Sequence, residues 1–425
     1  MISHTALSFA RSHVHDDTTR LLLSAARYPD IDMQAAVQQI EGLHTAQQKW
    51  PSLLQCDGFV YPPRLNREQA SSDETAVHKV YVACELFGGQ PPLSVADLTG
   101  GMGVDSIAFA QCSRLAIPPC RQVPTCVDYV ERSEQLCTLM EHNRVALGLD
   151  NVCVHCGDSM QWLASVERRF DMLFIDPARR SATGRKVSAF EDCTPDILQF
   201  MELLRSRCRW LMVKASPMID IDMACRQLGA VAEVHVVAVV GECKEVLFLC
   251  GQSSATEPRI VCCNLSNLSP PSPPSPPRTP SPPSPPSSLS FTRSEEAACT
   301  PCYCSAVGRY LYMPDASLMK AGPFNLIARR YGLQKLASNT HLYTSDERVG
   351  AFPGRMFEVL HEVKPSRKAV AAAIPDGKAH VVARNYPVAA ADLQRQLAIK
   401  EGGDMYVVAT TIGSRHTAFV CRRTG

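Results

Sequence analysis

The sequence predicts an α/β protein: a doubly wound, mostly parallel sheet preceded by helices and followed by a separate α+β part. Three observations carry this. From residue 93 onward, short and nearly all-apolar runs alternate with helix-like stretches, the pattern of parallel strands covered on both faces. A glycine-rich turn follows the first of these runs. A proline-serine tract, SPPSPPSPPRTPSPPSPPSS at 269–288, holds 11 of the 31 prolines and divides the chain.

Residues 1–75 read as a helical segment. Leu21, Leu22, Leu23 and Ala26 are placed to face inward, and residues 33–40 continue with helical spacing. The sheet domain spans 76–255. Its strands are expected at 93–98 (LSVADL), 124–130, 151–156, 170–176 and 209–214, with a final pair in 232–250 forming an antiparallel edge hairpin across GECK. A linker at 264–290 cannot pack a core, and its composition predicts an extended polyproline spacer. Beyond it come segments at 300–345 and 346–425. There, strands at 309–314, 379–384, 405–412 and 416–421 alternate with helices at 315–331 and 389–400.

At 425 residues the chain is long enough for several domains, and 45% hydrophobic content excludes wholesale disorder. Its net charge of +1 hides an asymmetry. Residues 301–425 carry 17 basic and 9 acidic side chains, whereas the first 300 carry 26 and 33. A basic C-terminal third predicts a polyanionic partner. No stretch resembles a secretory leader or an 18-residue apolar span, so a soluble, cytoplasmic protein and no membrane partner are expected. The 19 cysteines form no regular framework and read as reduced thiols. Cys299, Cys302 and Cys304 offer half of a zinc site. The other half could come only from the adjacent Cys262 and Cys263, which chelate poorly, so no metal is expected.

The most informative stretch is DLTGGMGVDS at 97–106. Gly101 and Gly103 permit a sharp turn and a close ligand beside a helix N-terminus. A dinucleotide fingerprint would want glycine where Ser106 stands, and Asp97 would repel a pyrophosphate while suiting a ligand with a cationic amine. A nicotinamide-dependent oxidoreductase is thereby disfavoured.

Asp97-x-x-x-Gly101-x-Gly103 resembles the first motif of the class I S-adenosylmethionine-dependent methyltransferases. The later landmarks of that family fall in order: Glu131, with Asp128 as the weaker choice, after the second strand, Asp158 after the third, and Asp176-Pro177-Ala178-Arg179 after the fourth. The resemblance implies a Rossmann-like methyltransferase sheet and S-adenosyl-L-methionine as cofactor. Its binding residues would be Asp97, Thr99, Gly101, Gly103, Asp105, Glu131 and Asp158. The chain from about residue 50 onward also resembles a narrower group, methyltransferase-like proteins of Bacteroidetes-type bacteria with ferredoxin-like and THUMP-like C-terminal parts. The shared stretches include EQASSDETAVHK (68–79), DLTGGMGVDS, IDPARR, KASPMIDI (214–221), GECKEVLF (241–248), YLYMPDASLMKAGPFN (310–325) and EGGDMYVVATT (401–411). The resemblance assigns 300–345 to the ferredoxin-like segment and 346–425 to the THUMP-like domain. The proline-rich spacer departs from that group's compact connection.

Methyl transfer requires in-line alignment of a nucleophile and exclusion of water. The residue before proline is extended, so Asp176-Pro177 presents acceptors at a strand end. Amine-methylating relatives place an aromatic ring at the fourth position, where this chain has Arg179, which stacks on a base or holds a phosphate. Uracil C5 methylation needs a cysteine nucleophile after the fifth strand, where the chain reads Lys214-Ala-Ser216, and Cys193 lies in the wrong loop. Asp176, Pro177 and Arg179 are therefore the expected catalytic residues of an RNA N- or O-methyltransferase. Arg180 follows Arg179, Lys214 and Ser216 end the fifth strand where substrate would sit in the crevice or else cap a helix and face solvent, and Glu191 and Asp192 serve as a proton acceptor or begin a helix. Arg329, Arg330, Arg355, Arg367, Lys368 and Arg384, interleaved with Tyr331, Tyr343, Phe352 and Tyr386, are the expected RNA contacts. A non-catalytic RNA-binding factor, or a methyltransferase acting on protein or a small molecule, stands as the alternative.

Overall fold

A computed structural model describes residues 2–114, 124–179, 190, 193–251, 256–265 and 287–424. The proline-serine tract through 286, Arg180, Glu191, Asp192 and the side chain of Arg179 lie outside the described residues. The chain forms two compact units: Met1–Val234 with Glu245–Pro258 and Leu265–Pro286, and His235–Lys244 with Arg259–Asn264 and Ser287–Gly425.

The first unit opens on helices His4–Ser12, Thr18–Leu23 and Met33–Lys49. Asp32 caps the third by accepting the Ala35 amide at 3.0 Å. These helices bury Phe9, Leu21, Ala36, Val37 and Ile40 in their own apolar cluster. Of the three consecutive leucines only Leu21 is inside, while Leu22, Leu23 and Ala26 are exposed. Side chains 100° apart cannot share one face of a six-residue helix, and the chain then leaves through a 3₁₀ turn at Ala25–Arg27. Helix Asp73–Leu86 starts with a Ser72–Thr75 capping box.

The sheet of this unit contains β1 (Ser94–Asp97), β2 (Cys126–Glu131), β3 (Val152–Cys156) and β4 (Phe170–Ile175). Two-residue strands β5 (Ala178–Arg179) and β6 (Cys193–Thr194) pair with each other, and β7 (Cys208–Ala215) returns to the main sheet. β1 lies between β2 and β4 in parallel, β3 extends β2, and β7 extends β4. Strand order thus reverses at β1, a topological switch point with its crevice at the strand C-termini. After β8 (Val231–Val239), β9 (Glu242–Gly251) runs antiparallel to β7, pairing Trp210 with Gly251 and Ala215 with Val246. The turn before β9 is shorter than the expected GECK: Val240 and Gly241 make it, both with positive φ, and Glu242 already belongs to the strand. Val95, Val127, Met172, Leu173, Ile175 and Val213 form the sheet's core.

The second unit pairs β10 (Arg259–Asn264) with β11 (Ser287–Phe291) antiparallel. Its larger sheet comprises β12 (Tyr310–Pro314), β13 (Gln334–Lys335), β14 (Tyr343–Ser345), β15 (Gly354–Val363), β16 (His380–Arg384), β17 (Met405–Ile412) and β18 (Arg415–Arg423). Their order is β13-β14-β12-β15-β18-β17-β16. The helix expected over 315–331 is broken into Ala316–Ala321 and Phe324–Tyr331. Gly322 ends the first in a left-handed conformation and Pro323 cannot continue it. A further helix, Arg367–Ala373, precedes the expected C-terminal one at Ala390–Leu397. No described helix is long and apolar enough to cross a membrane, and every described cysteine is a free thiol.

Candidate active site

The C-terminal ends of β1, β2, β3, β4 and β7 carry Asp97, Glu131, Asp158, Asp176 and Lys214 at one edge of the sheet. Between β1 and the helix Val104–Ala110 the chain must reverse within a few residues. Gly101 and Gly103 do this at φ of 55° and 84°. Gly100 has a steric reason of its own: a Cβ there would stand 2.3 Å from the Tyr129 ring. The Tyr129 hydroxyl donates to the Gly101 carbonyl at 2.7 Å and pins the turn to β2.

Asp97 lies beneath this turn, 1% exposed. It accepts from the Ser106 hydroxyl at 2.6 Å and the Thr99 amide at 3.1 Å. Ser106, which breaks the dinucleotide pattern, is therefore a partner of Asp97. Burial pushes the Asp97 carboxyl up to about 7, with Asp105 and Asp176 nearby adding to the rise against the two hydrogen bonds. Glu131 accepts the Gly101 amide on Oε2 at 3.0 Å and the Ser133 amide on Oε1 at 2.9 Å. Each oxygen keeps a further lone pair for a ligand hydroxyl. Asp128 is engaged elsewhere, with His155 at 2.7 Å and with Arg168. Asp158 caps helix Ser159–Ser165 through Oδ1 alone, accepting the Met160 and Gln161 amides. Its Oδ2 is left for a ligand amine. An open turn, a carboxylate for vicinal hydroxyls and a carboxylate for an amino group suit the ribose, adenine and cationic amine of S-adenosylmethionine.

Asp105 does not join that set. Its carboxylate is drawn to the helix Asp73–Leu86, accepting from Ser71 at 2.7 Å and pairing with Lys79 at 3.1 Å. Burial opposes its ionisation, but Lys79 and Lys214 outweigh it and hold its pKa below the usual value. Lys79 is fully buried and also donates to Glu245 at 2.9 Å. Lys214 pairs with Asp176 through Oδ2. Burial would lower the Lys214 pKa, but Asp176, Glu245 and Asp105 outweigh it and raise it. Burial raises the Glu245 pKa against both lysines. Thr99 joins the turn to this cluster, since its hydroxyl accepts the Asp176 amide at 2.7 Å. Pro177 is buried behind Asp176. The backbone of Arg179 pairs with Cys193 across β5 and β6. Sequence reasoning assigned no role to Ser71, Lys79 or Glu245. The signal was weak: Lys79 falls between His78 and Val80 in a helix that also carries Asp73, Glu74 and Glu85, and Glu245 follows Glu242 and Lys244 in its strand just before an apolar run.

In the second unit, two residues expected to stack on RNA are core instead. Tyr343 and Phe352 are buried, and the Tyr343 hydroxyl donates to the Phe324 carbonyl at 2.8 Å. Tyr331, half-buried, packs edge-on against Phe352. These rings fill the space between β12, β14 and the helix Phe324–Tyr331. Arg329, Arg330, Arg355, Arg367 and Lys368 are exposed, and Tyr386 is half-buried beside His416. Burial and the charge of Arg355 lower the Arg384 pKa. Cys262 and Cys263, successive on β10, project to opposite faces of the strand.

This geometry defines a class I α/β methyltransferase fold. Residues 310–353 match a ferredoxin-like domain and 354–423 a THUMP domain-like family. Over 292 residues the chain is 25% identical to an uncharacterized S-adenosylmethionine-dependent methyltransferase of Mycobacterium tuberculosis, covering 67% of this chain and 72% of the relative. A crystal structure from Porphyromonas gingivalis W83, named "putative methyltransferase", superposes over 100% of both chains with a TM-score of 0.80 and 27% identity. The chain is an S-adenosylmethionine-dependent methyltransferase.

Proposed function

We propose that the protein transfers a methyl group to RNA. The cofactor supplies an activated sulfonium methyl; the chain's own residues bind, orient and exclude water. Glu131 holds the ribose hydroxyls, Asp158 the adenine amine, and the Gly101–Gly103 turn lets the backbone approach. Asp97, beneath the turn, supplies negative field for the cationic amine, and Thr99 ties the turn to Asp176. Asp176, stiffened by Pro177, faces the acceptor, and Arg179 contacts the substrate. Asp105 acts through the charge cluster and not by touching the cofactor.

The observation that supports RNA is the excess of cations on the second unit, where Arg329, Arg330, Arg355, Arg367 and Lys368 are exposed. The THUMP-like match points the same way by analogy. With Tyr343 and Phe352 in the core, phosphate contacts dominate over base stacking in this reading, leaving Tyr386 as the stacking candidate. A cytoplasmic location is part of this reading. The test is incubation with methyl-labelled cofactor and fractionated RNA, protein and small molecules from cells lacking the gene. Label in RNA supports the reading; label confined to the other fractions defeats it.

A further inference from the structure

The acceptor end of the site holds a cation, and that cation discriminates between nucleophiles. Lys214 leaves β7 and pairs with Asp176; their side chains are 12% and 35% exposed, so the pair is sunk at the crevice floor yet reachable. Behind it, Lys79 is clamped by Glu245 at 2.9 Å and Asp105 at 3.1 Å. Glu245 Oε1 is buried with no hydrogen-bond partner. Three carboxylates facing Lys214 keep it an ammonium at neutral pH.

An amino nitrogen becomes more positive as it attacks a methyl carbon, so a neighbouring ammonium raises that barrier. A hydroxyl attacks as it sheds its proton, and its oxygen carries negative charge that an ammonium stabilises. The adjacent carboxylate is the matching proton acceptor. Arg179 at the fourth position adds no ring for a flat amino base. On the reading that RNA is the substrate, on which this inference rests, the hydroxyl that every nucleotide offers is on the ribose.

We propose that the site methylates a ribose 2′-hydroxyl of RNA. Asp176 takes the proton, and Lys214 holds the oxygen and stabilises its charge. Lys79, Glu245 and Asp105 are positioning residues that keep Lys214 charged and in place. As the oxygen–carbon bond forms, the carbon–sulfur bond breaks and its electron pair stays on sulfur. The hydroxyl proton passes to the Asp176 carboxylate and from there to water.

Two experiments on the full chain test this. RNA labelled by the protein is hydrolysed in alkali, which cannot cleave beside a 2′-O-methyl ribose. The expected result is label in alkali-resistant dinucleotides. Label released in mononucleotides overturns the proposal while leaving the RNA reading standing; label found only in protein or small molecules overturns both. The second experiment needs no acceptor. Calorimetry gives the affinity of wild type and Lys214→Met for cationic S-adenosylmethionine and for neutral-sulfur S-adenosylhomocysteine. Removing an ammonium near the transferred methyl shifts that affinity ratio toward the cationic ligand by at least about threefold, and Lys214→Arg preserves the wild-type ratio. An unchanged ratio in Lys214→Met, with both ligands bound, overturns the placement of Lys214 at the acceptor.

Discussion

Asp97 sets up a conflict between stability and cofactor binding that pH exposes. Its carboxyl titrates near 7 in the folded chain and has an ordinary value of 3.8. The folded state therefore holds the proton more tightly than the unfolded state. Its stabilising share is complete below about pH 4, declines as pH rises, and is gone above about pH 7. The span corresponds to roughly 4 kcal/mol. Asp97→Asn keeps one acceptor oxygen for the Thr99 amide and turns an amide N–H toward the Ser106 hydroxyl, which then accepts, and it cannot ionise. The variant's stability relative to wild type is expected to rise by about 3 kcal/mol between pH 4.5 and pH 8. Trp50, Trp162 and Trp210, the chain's three tryptophans, all belong to the first unit, so urea unfolding followed by tryptophan fluorescence reads the relevant transition. Parallel stability–pH curves for wild type and variant would refute the reasoning. The functional counterpart is proton release: a bound cationic amine favours ionised Asp97, so cofactor titrations near pH 6.5 in buffers of different ionisation enthalpy show protons released by wild type and none by Asp97→Asn.

Further expectations follow from the geometry. Lys79→Met strands Glu245 and Asp105 without their buried cation and costs roughly 3–5 kcal/mol, read as a fall in the first unit's urea midpoint. Gly103→Ala, at φ of 84° with the new Cβ 2.7 Å from Met140 Sδ, destabilises by more than about 1 kcal/mol and weakens cofactor binding in the same calorimetric assay. Asp158→Ala removes an acceptor for the adenine amine and weakens cofactor affinity by about tenfold. Arg367→Ala combined with Lys368→Ala lowers RNA affinity without changing cofactor affinity, and reduces the slope of log affinity against log salt by about 1.5.

The sheet was readable because parallel strands buried on both faces are continuous apolar runs, and because acids at strand ends break those runs at the functional edge. Glu131 stood out from Asp128 on order alone; the structure shows the physical difference, since Asp128 is occupied by His155 and Arg168. The Lys79–Glu245 contact joins residues 166 positions apart, and no local pattern announces such a pair. The three leucines at 21–23 misled because hydrophobicity marks a helix without saying where it ends. Tyr343 and Phe352 misled in the opposite way. Aromatic residues among arginines suit both a stacking surface and a core beneath a basic face, and only packing distinguishes them.

The central claim is that Glu131 and the glycine turn form the cofactor seat. Calorimetric titration of S-adenosylmethionine into wild type and Glu131→Ala tests it most directly. The account predicts saturable one-site binding to wild type and a loss of roughly 10- to 100-fold in the variant, from two charge-assisted hydrogen bonds. Equal affinity in both proteins, with the variant folded, would contradict it.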